Sequence, residues 1–120
     1  MEKLISKITA LGVPGLVLLV AVNATGLAGG AAIVTALAAL GPGGIVGGIA
    51  TLGVIGMISH GLTEYGMGAI SSAVVKELIK KGETKETILA KIQKYPISKS
   101  LKRKLKEVVE TNGEMVEEEQ

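Results

Sequence analysis

Few residues in this chain could act on a bond. His60 and Glu64 stand four apart, so on a helix they share a face. An imidazole beside a carboxylate there could form a pair that senses pH. The same spacing describes an ordinary helix-surface pair or a polar contact satisfied inside a bundle. Tyr65, next to them, is one of only two aromatics, the other being Tyr95; its ring is expected to pack with its hydroxyl outward. His60 is the only histidine and there is no cysteine. That composition removes disulfides, thiolate or His-cluster metal sites, a cysteine nucleophile and a Ser-His-Asp triad. No catalytic, cofactor-binding or metal-binding residue is assigned, and enzymatic activity is not expected.

Glycine clusters invite a phosphate-binding reading, which their neighbours defeat. Gly41-Pro42-Gly43-Gly44-Ile45-Val46 lacks the Lys-Ser/Thr that completes a P-loop. Gly66-Met67-Gly68-Ala69-Ile70-Ser71 has Ser where a dinucleotide fingerprint needs Gly, and no strand precedes it. Turns and helix packing account for both. Asn23-Ala24-Thr25 matches a glycosylation sequon, but it lies inside an apolar helix and carries no weight.

Lys99, Lys102, Arg103, Lys104 and Lys106 crowd one end of an amphipathic segment. One reading is attraction to anionic lipid head groups, worth on the order of 1 kcal/mol per base near the surface. Nonspecific nucleic-acid binding and a plain solvated face are the competitors. With two aromatics there is almost nothing for bases to stack on, so lipid is favoured over nucleic acid, and no nucleic-acid partner is expected.

The elements that must position these groups divide the chain sharply. It has 120 residues, enough for one domain. Positions 8 to 63 contain no charged residue, and fifteen of the 17 glycines lie at or before Gly68. From Lys76 to Lys106 eleven bases face three acids; from Glu107 onward six glutamates face no base. The net charge of +2 is therefore a cancellation between blocks.

Helical spacing recurs and strand patterning is weak, so the fold is read as all-α, a small bundle of four to six helices. Its N-terminal half is apolar and rich in Gly and Ala, and its C-terminal helices are amphipathic and basic. Leu4, Ile8 and Leu11 predict a short amphipathic helix over 2–12, stopped near Gly12 and Pro14. Residues 14–28 read as an all-apolar helix, 31–40 as another, with a break at Gly29-Gly30 between them and a turn at Gly41–Gly44 after. Residues 45–81 could be one helix or two, with Ile70, Val74 and Leu78 recurring every four and Gly82 closing the segment. Residues 84–95 follow, with Ile88, Leu89 and Ile92 inward. After Pro96, Ser98 is an N-cap for a last helix carrying Leu101, Leu105, Val108 and Val109. The bundle is expected to span 1–110, with residues 111–120 an acidic flexible tail.

The uncharged stretch is long enough for two membrane crossings joined at Gly41–Gly44, since a crossing takes about 20 residues. Gly26/Gly30, Gly43/Gly47 and Gly44/Gly48 have the spacing that lets helices approach closely in lipid. The basic block after Lys76 would keep both ends cytoplasmic. Against a permanent hairpin, no Trp or Tyr marks either interface, and Asn23, Thr25, Thr35, Thr51 and Ser59 interrupt the run. Three readings stay open: a soluble fold whose apolar half later enters lipid, a permanent hairpin, and a purely soluble bundle. Lys3, Lys7 and Val13–Val22 also resemble a signal peptide, but apolarity continues well past any cleavage point.

This layout resembles the Bell domain of bacteria and archaea. That family is regarded as a prokaryotic analogue of the fungal HeLo and HeLo-like domains and of the helical bundle of the mixed-lineage-kinase-like pseudokinase. The stretches that carry the resemblance are LGVPGLVLLVAVNATGLAGGAAIVTALAALGPGGIVGGIATLGVIG, Leu11 to Gly56, and KYPISKSLKRKL, Lys94 to Leu105. It covers residues 1 to about 110. The resemblance implies a cytoplasmic cell-death effector of prokaryotic immunity. It would be activated by an amyloid-signalling or receptor partner, relocate to the inner face of the cell membrane, and permeabilise it as a homo-oligomer. The segment after Val109 is acidic rather than amyloid-like.

The residues themselves suggest a compatible mechanism. Leu4, Ile5, Ile8, Leu11, Leu16, Val17, Leu18, Leu19, Val20, Ile33, Val34 and Leu37 would insert. Gly29, Gly30, Gly41, Gly43 and Gly44 would serve as hinges, while Lys99, Lys102, Arg103, Lys104 and Lys106 hold anionic head groups. The alternatives are a constitutive integral membrane protein, holin-like or a scaffold hairpin, and a soluble helical interaction module.

Overall fold

The computed structural model describes the backbone of residues 1–25, 48–95 and 97–119, and the side chains of 1–24, 55–95 and 97–112. Among these residues the chain forms six helices and no strand, a small all-α bundle. The helices are α1 (Glu2–Ala10), α2 (Val13–Thr25), α3 (Gly48–Tyr65), α4 (Met67–Lys80), α5 (Lys85–Lys94) and α6 (Lys99–Glu119). The expected helix at 31–40, the turn at Gly41–Gly44 and the break at Gly29-Gly30 lie outside the described residues.

Helix α2 sits at the centre because it has no polar face to show water. From Gly15 to Val22 every residue is buried, as expected of a helix that is apolar all round. It packs against each of the other five helices. Each surrounding helix contributes one stripe. Leu4 and Ile8 come from α1, Ile58 from α3, and Ile70, Val74, Val75 and Leu78 from α4. Ile88 and Ile92 come from α5, and Leu105 and Val109 from α6. Leu11, Ile79, Leu89, Leu101 and Val108 are half-buried against the same cluster.

Local chemistry sets the ends of the helices. Of the 45–81 segment, the described residues form two helices, Gly48–Tyr65 and Met67–Lys80, because Gly66 adopts φ 86, a left-handed value that interrupts a right-handed helix and that glycine accepts without strain. Thr84 caps α5 through a reciprocal pair of bonds: Thr87 N–H donates to Thr84 Oγ1 at 3.1 Å, and Thr84 N–H donates to Thr87 Oγ1 at 2.8 Å. Ser98 caps α6, its Oγ accepting from Leu101 N–H at 3.1 Å.

One boundary differs from the sequence reading. The tail expected from residue 111 begins inside α6, which runs to Glu119. Asn112 is only 8% exposed. Its amide donates to the Val108 carbonyl at 2.9 Å and to Ser71 Oγ on α4 at 3.4 Å. Asn112 lies seven residues after Leu105, so it continues the inward stripe as a polar member, which an apolar-only pattern skips.

Candidate membrane-active region

The α1–α2 corner is built on close backbone approach. Leu11 N–H bonds the Ile8 carbonyl at 3.1 Å and Gly12 N–H bonds that of Thr9 at 2.9 Å, finishing α1. Gly12 then turns the chain at φ 74, and α2 sets off at 118° to α1. Three residues on, Gly15 presses against α1 so closely that a Cβ there would overlap the Ile8 carbonyl. Gly61 on α3 forms the second seat: a Cβ there would collide with the end of Leu4. Helix α1 therefore rests its Leu4–Ile8 stripe on two glycines.

The residues expected to insert into lipid are thus core residues in this structure. Leu4, Ile8, Leu16, Val17, Leu18, Leu19 and Val20 are all 5% exposed or less. Ile5 and Leu11 are half-buried. Ile33, Val34 and Leu37, and the hinge glycines Gly29, Gly30, Gly41, Gly43 and Gly44, lie outside the described residues. Among the described residues, no single helix is long and apolar enough to cross a membrane. The bent pair Glu2–Ala10 with Val13–Ala24 passes that test of length and composition when taken together.

The basic run divides by direction. Lys99, Arg103, Lys104 and Lys106 are exposed and Lys102 is half-buried. Lys102 Nζ donates to the Gln93 carbonyl at 3.0 Å, tying α6 to the last turn of α5. Lys106 lies 4.0 Å from Glu110. Lys104 stands on another side of α6, where with Glu107 it lines a groove of about 350 Å³ shared with Asn23 of α2 and Ser71 of α4.

Further along, Lys91 Nζ meets Glu83 at 2.5 Å, and Thr87 Oγ1 donates to the other carboxylate oxygen at 2.7 Å. The Lys91 hydrogen bond holds the Glu83 carboxyl below the usual carboxylate range; partial burial opposes it and the Thr87 bond assists. Burial pushes the Tyr95 phenol up.

His60 and Glu64 do form a pair, at 3.2 Å, but their side chains are 81% and 51% exposed. This is a helix-surface contact of about 0.2–0.5 kcal/mol, not a buried switch. The Tyr65 hydroxyl accepts from the amino group of Met1 at 3.2 Å. Among the described residues no three His, Asp or Glu side chains converge to hold a metal ion.

Sequence reasoning stops the first helix near Gly12, as found, but misses the roles of Gly15 and Gly61. Spacing carries no signal that separates a glycine tolerated in a helix from one whose missing Cβ admits a neighbour. It also missed Asn112, whose signal is its place in the α6 stripe. No family model, curated protein or solved structure matches this chain.

Proposed function

We propose that this domain is a membrane-permeabilising effector, held in a water-soluble bundle until its N-terminal region is released into lipid. The observation that carries the proposal is α2, an uncharged helix buried on every face and joined through one turn to an amphipathic helix that rests on glycines. Such a helix satisfies its own backbone hydrogen bonds and loses little on moving from a protein core to hydrocarbon. The energetic difference between the two states rests on the packing of its neighbours.

Straightened at Gly12, residues 2–24 would make a helix of about 34 Å at 1.5 Å per residue, against a hydrocarbon thickness of about 30 Å. Residues 7–24 hold one charge, Lys7, placed so that its ammonium could reach the interface. Pro14 would leave a kink, which transmembrane helices tolerate. The resemblance to the Bell domain points to the same activity, with relocation from cytoplasm to the inner membrane face and assembly into a homo-oligomer.

Dye-loaded vesicles of anionic lipid test the proposal. Micromolar protein is expected to release the dye, and Val17→Lys to abolish release. Full dye retention at that concentration would refute it. A protein that needs detergent from lysis onward would instead be a constitutive membrane hairpin, and one that is soluble and ignores vesicles would be an interaction module.

A further inference from the structure

The tertiary structure gathers cations at the α5–α6 corner more tightly than the run 99–106 suggests. No acidic residue occurs between Glu86 and Glu107. At 1.5 Å per residue, Glu86 lies about 12 Å along α5 from Lys94 and Glu107 about 12 Å along α6 from Lys99, both beyond the screening length of about 8 Å at physiological salt. Arg103 is the member nearest an acid, one turn before Glu107. The Lys102–Gln93 bond brings the first turns of α6 beside the last turn of α5, so Lys94 joins Lys99, Lys102 and Arg103. Lys94, Lys99 and Arg103 are exposed.

The neighbouring bases fall outside this group for specific reasons. Lys91 is neutralised by Glu83, Lys106 faces Glu110, and Lys104 shares its groove with Glu107. Between Lys94 and Lys99 in the chain stand Tyr95 and Ile97, each packed on the core with part of its surface open. A tyrosine and an aliphatic side chain flanked in the chain by cations match the polar–apolar boundary of a bilayer, where amphipathic rings settle and bases meet anionic head groups.

We propose that the α5–α6 corner, with Lys94, Lys99, Lys102 and Arg103 around Tyr95 and Ile97, is the surface by which the folded bundle docks on an anionic membrane. This deepens the proposed function and rests on it for the choice of lipid as partner. It replaces the 99–106 run by a corner that includes α5 and leaves out Lys104 and Lys106. Docking needs no unfolding, so it is separable from permeabilisation.

The test is co-sedimentation of the intact chain with vesicles of phosphatidylcholine containing about one third phosphatidylserine. Pure phosphatidylcholine vesicles serve as the reference. Each base near the surface is worth about fivefold in affinity, so the triple variant K94E/K99E/R103E is expected to bind at least about a hundredfold more weakly. The charge-matched control K76E/K80E/K85E, outside both the corner and residues 2–24, should stay within a few-fold of the parent. Loss of the same size in both would show that net charge alone acts, and would overturn the corner.

Should the triple variant fold poorly, Tyr95→Trp gives a second reading: its emission is expected to shift to the blue on anionic vesicles, and an unchanged spectrum on vesicle-bound protein would refute the site. A short DNA duplex that bound the corner as tightly as the vesicles do would also overturn the assignment to lipid. Binding without dye release would sink the permeabilising function and leave the docking surface standing. Dye release that ignores the triple variant would do the reverse.

Discussion

At the α1–α2 corner, helices meet backbone against side chain with nothing between them. Gly15 admits the Ile8 carbonyl and Gly61 admits Leu4; no side-chain hydrogen bond caps the N-terminus of α1, and backbone N–H groups close its C-terminus. In the α4–α6 half, by contrast, reciprocal threonine bonds cap α5, Ser98 caps α6, and Glu83 is tied to both Lys91 and Thr87. The first region depends on atoms being absent, the second on polar partners being present. A helix held by vacancy loses its seat all at once when the gap is filled. A helix held by caps and stripes loses a little for each bond removed. That asymmetry is what a region built to detach from a stable remainder would need.

The sharpest way to break this contrast is Gly15→Val. Its added carbons meet main-chain atoms of Ile8, which cannot turn aside as a side chain does. A loss of about 3 kcal/mol or more is expected, read as a lowered melting temperature by circular dichroism. A melting point within a few degrees of the parent would show that α1 is not seated as described.

Next in size is Thr84→Ala in the second region, which removes the α5 cap and should cost about 1 kcal/mol in a denaturant titration, leaving α1 docked. Gly61→Ala sharpens the comparison from the other side. The obstructing atom is the flexible end of Leu4, and alanine itself favours a helix over glycine by about 0.8–1.0 kcal/mol. The net change is therefore expected below about 1 kcal/mol. The double variant Gly61→Ala/Leu4→Ala should be more stable than the sum of its single changes. Strict additivity would mean that Leu4 does not sit over Gly61.

The smallest effect concerns pH. The folded Glu83 carboxyl titrates below its unfolded value of 4.5. The stability it contributes is present above that value and is lost as pH falls through the lower, folded one. Glu83→Gln should flatten this acid limb slightly, with no change at neutral pH in the slope of stability against pH. The pair is partly open to solvent, so the effect is small.

Much of the fold was legible beforehand, for reasons that can be traced to particular residues. Ile70, Val74 and Leu78 recur every four, and all three are buried. Ser98 stands just before an apolar-periodic run and caps as expected. Thr84, which the sequence reading puts inside a helix over 84–95, is instead its N-cap, and the hydroxyl of Thr87 completes the box where the usual partner is Glu or Gln. The sequence pattern places Asn112 in a tail, because a polar residue among glutamates reads as solvated. Its burial depends on Ser71, forty-one positions earlier, which no local pattern can supply. The candidate site was legible only in composition. The apolar and basic blocks were evident, yet which bases converge depends on how α5 folds back beside α6.

The amino-acid order alone determined that the chain is helical, that positions 8 to 63 are devoid of charge, and that bases and acids are segregated behind them, since periodicity and composition are local properties. Only the tertiary structure decided that α2 is the centre rather than one face, that Gly15 and Gly61 seat α1, and that Lys94 joins the α6 cations. Close approach and charge convergence depend on distances between residues remote in sequence, and those distances exist only once the helices have packed.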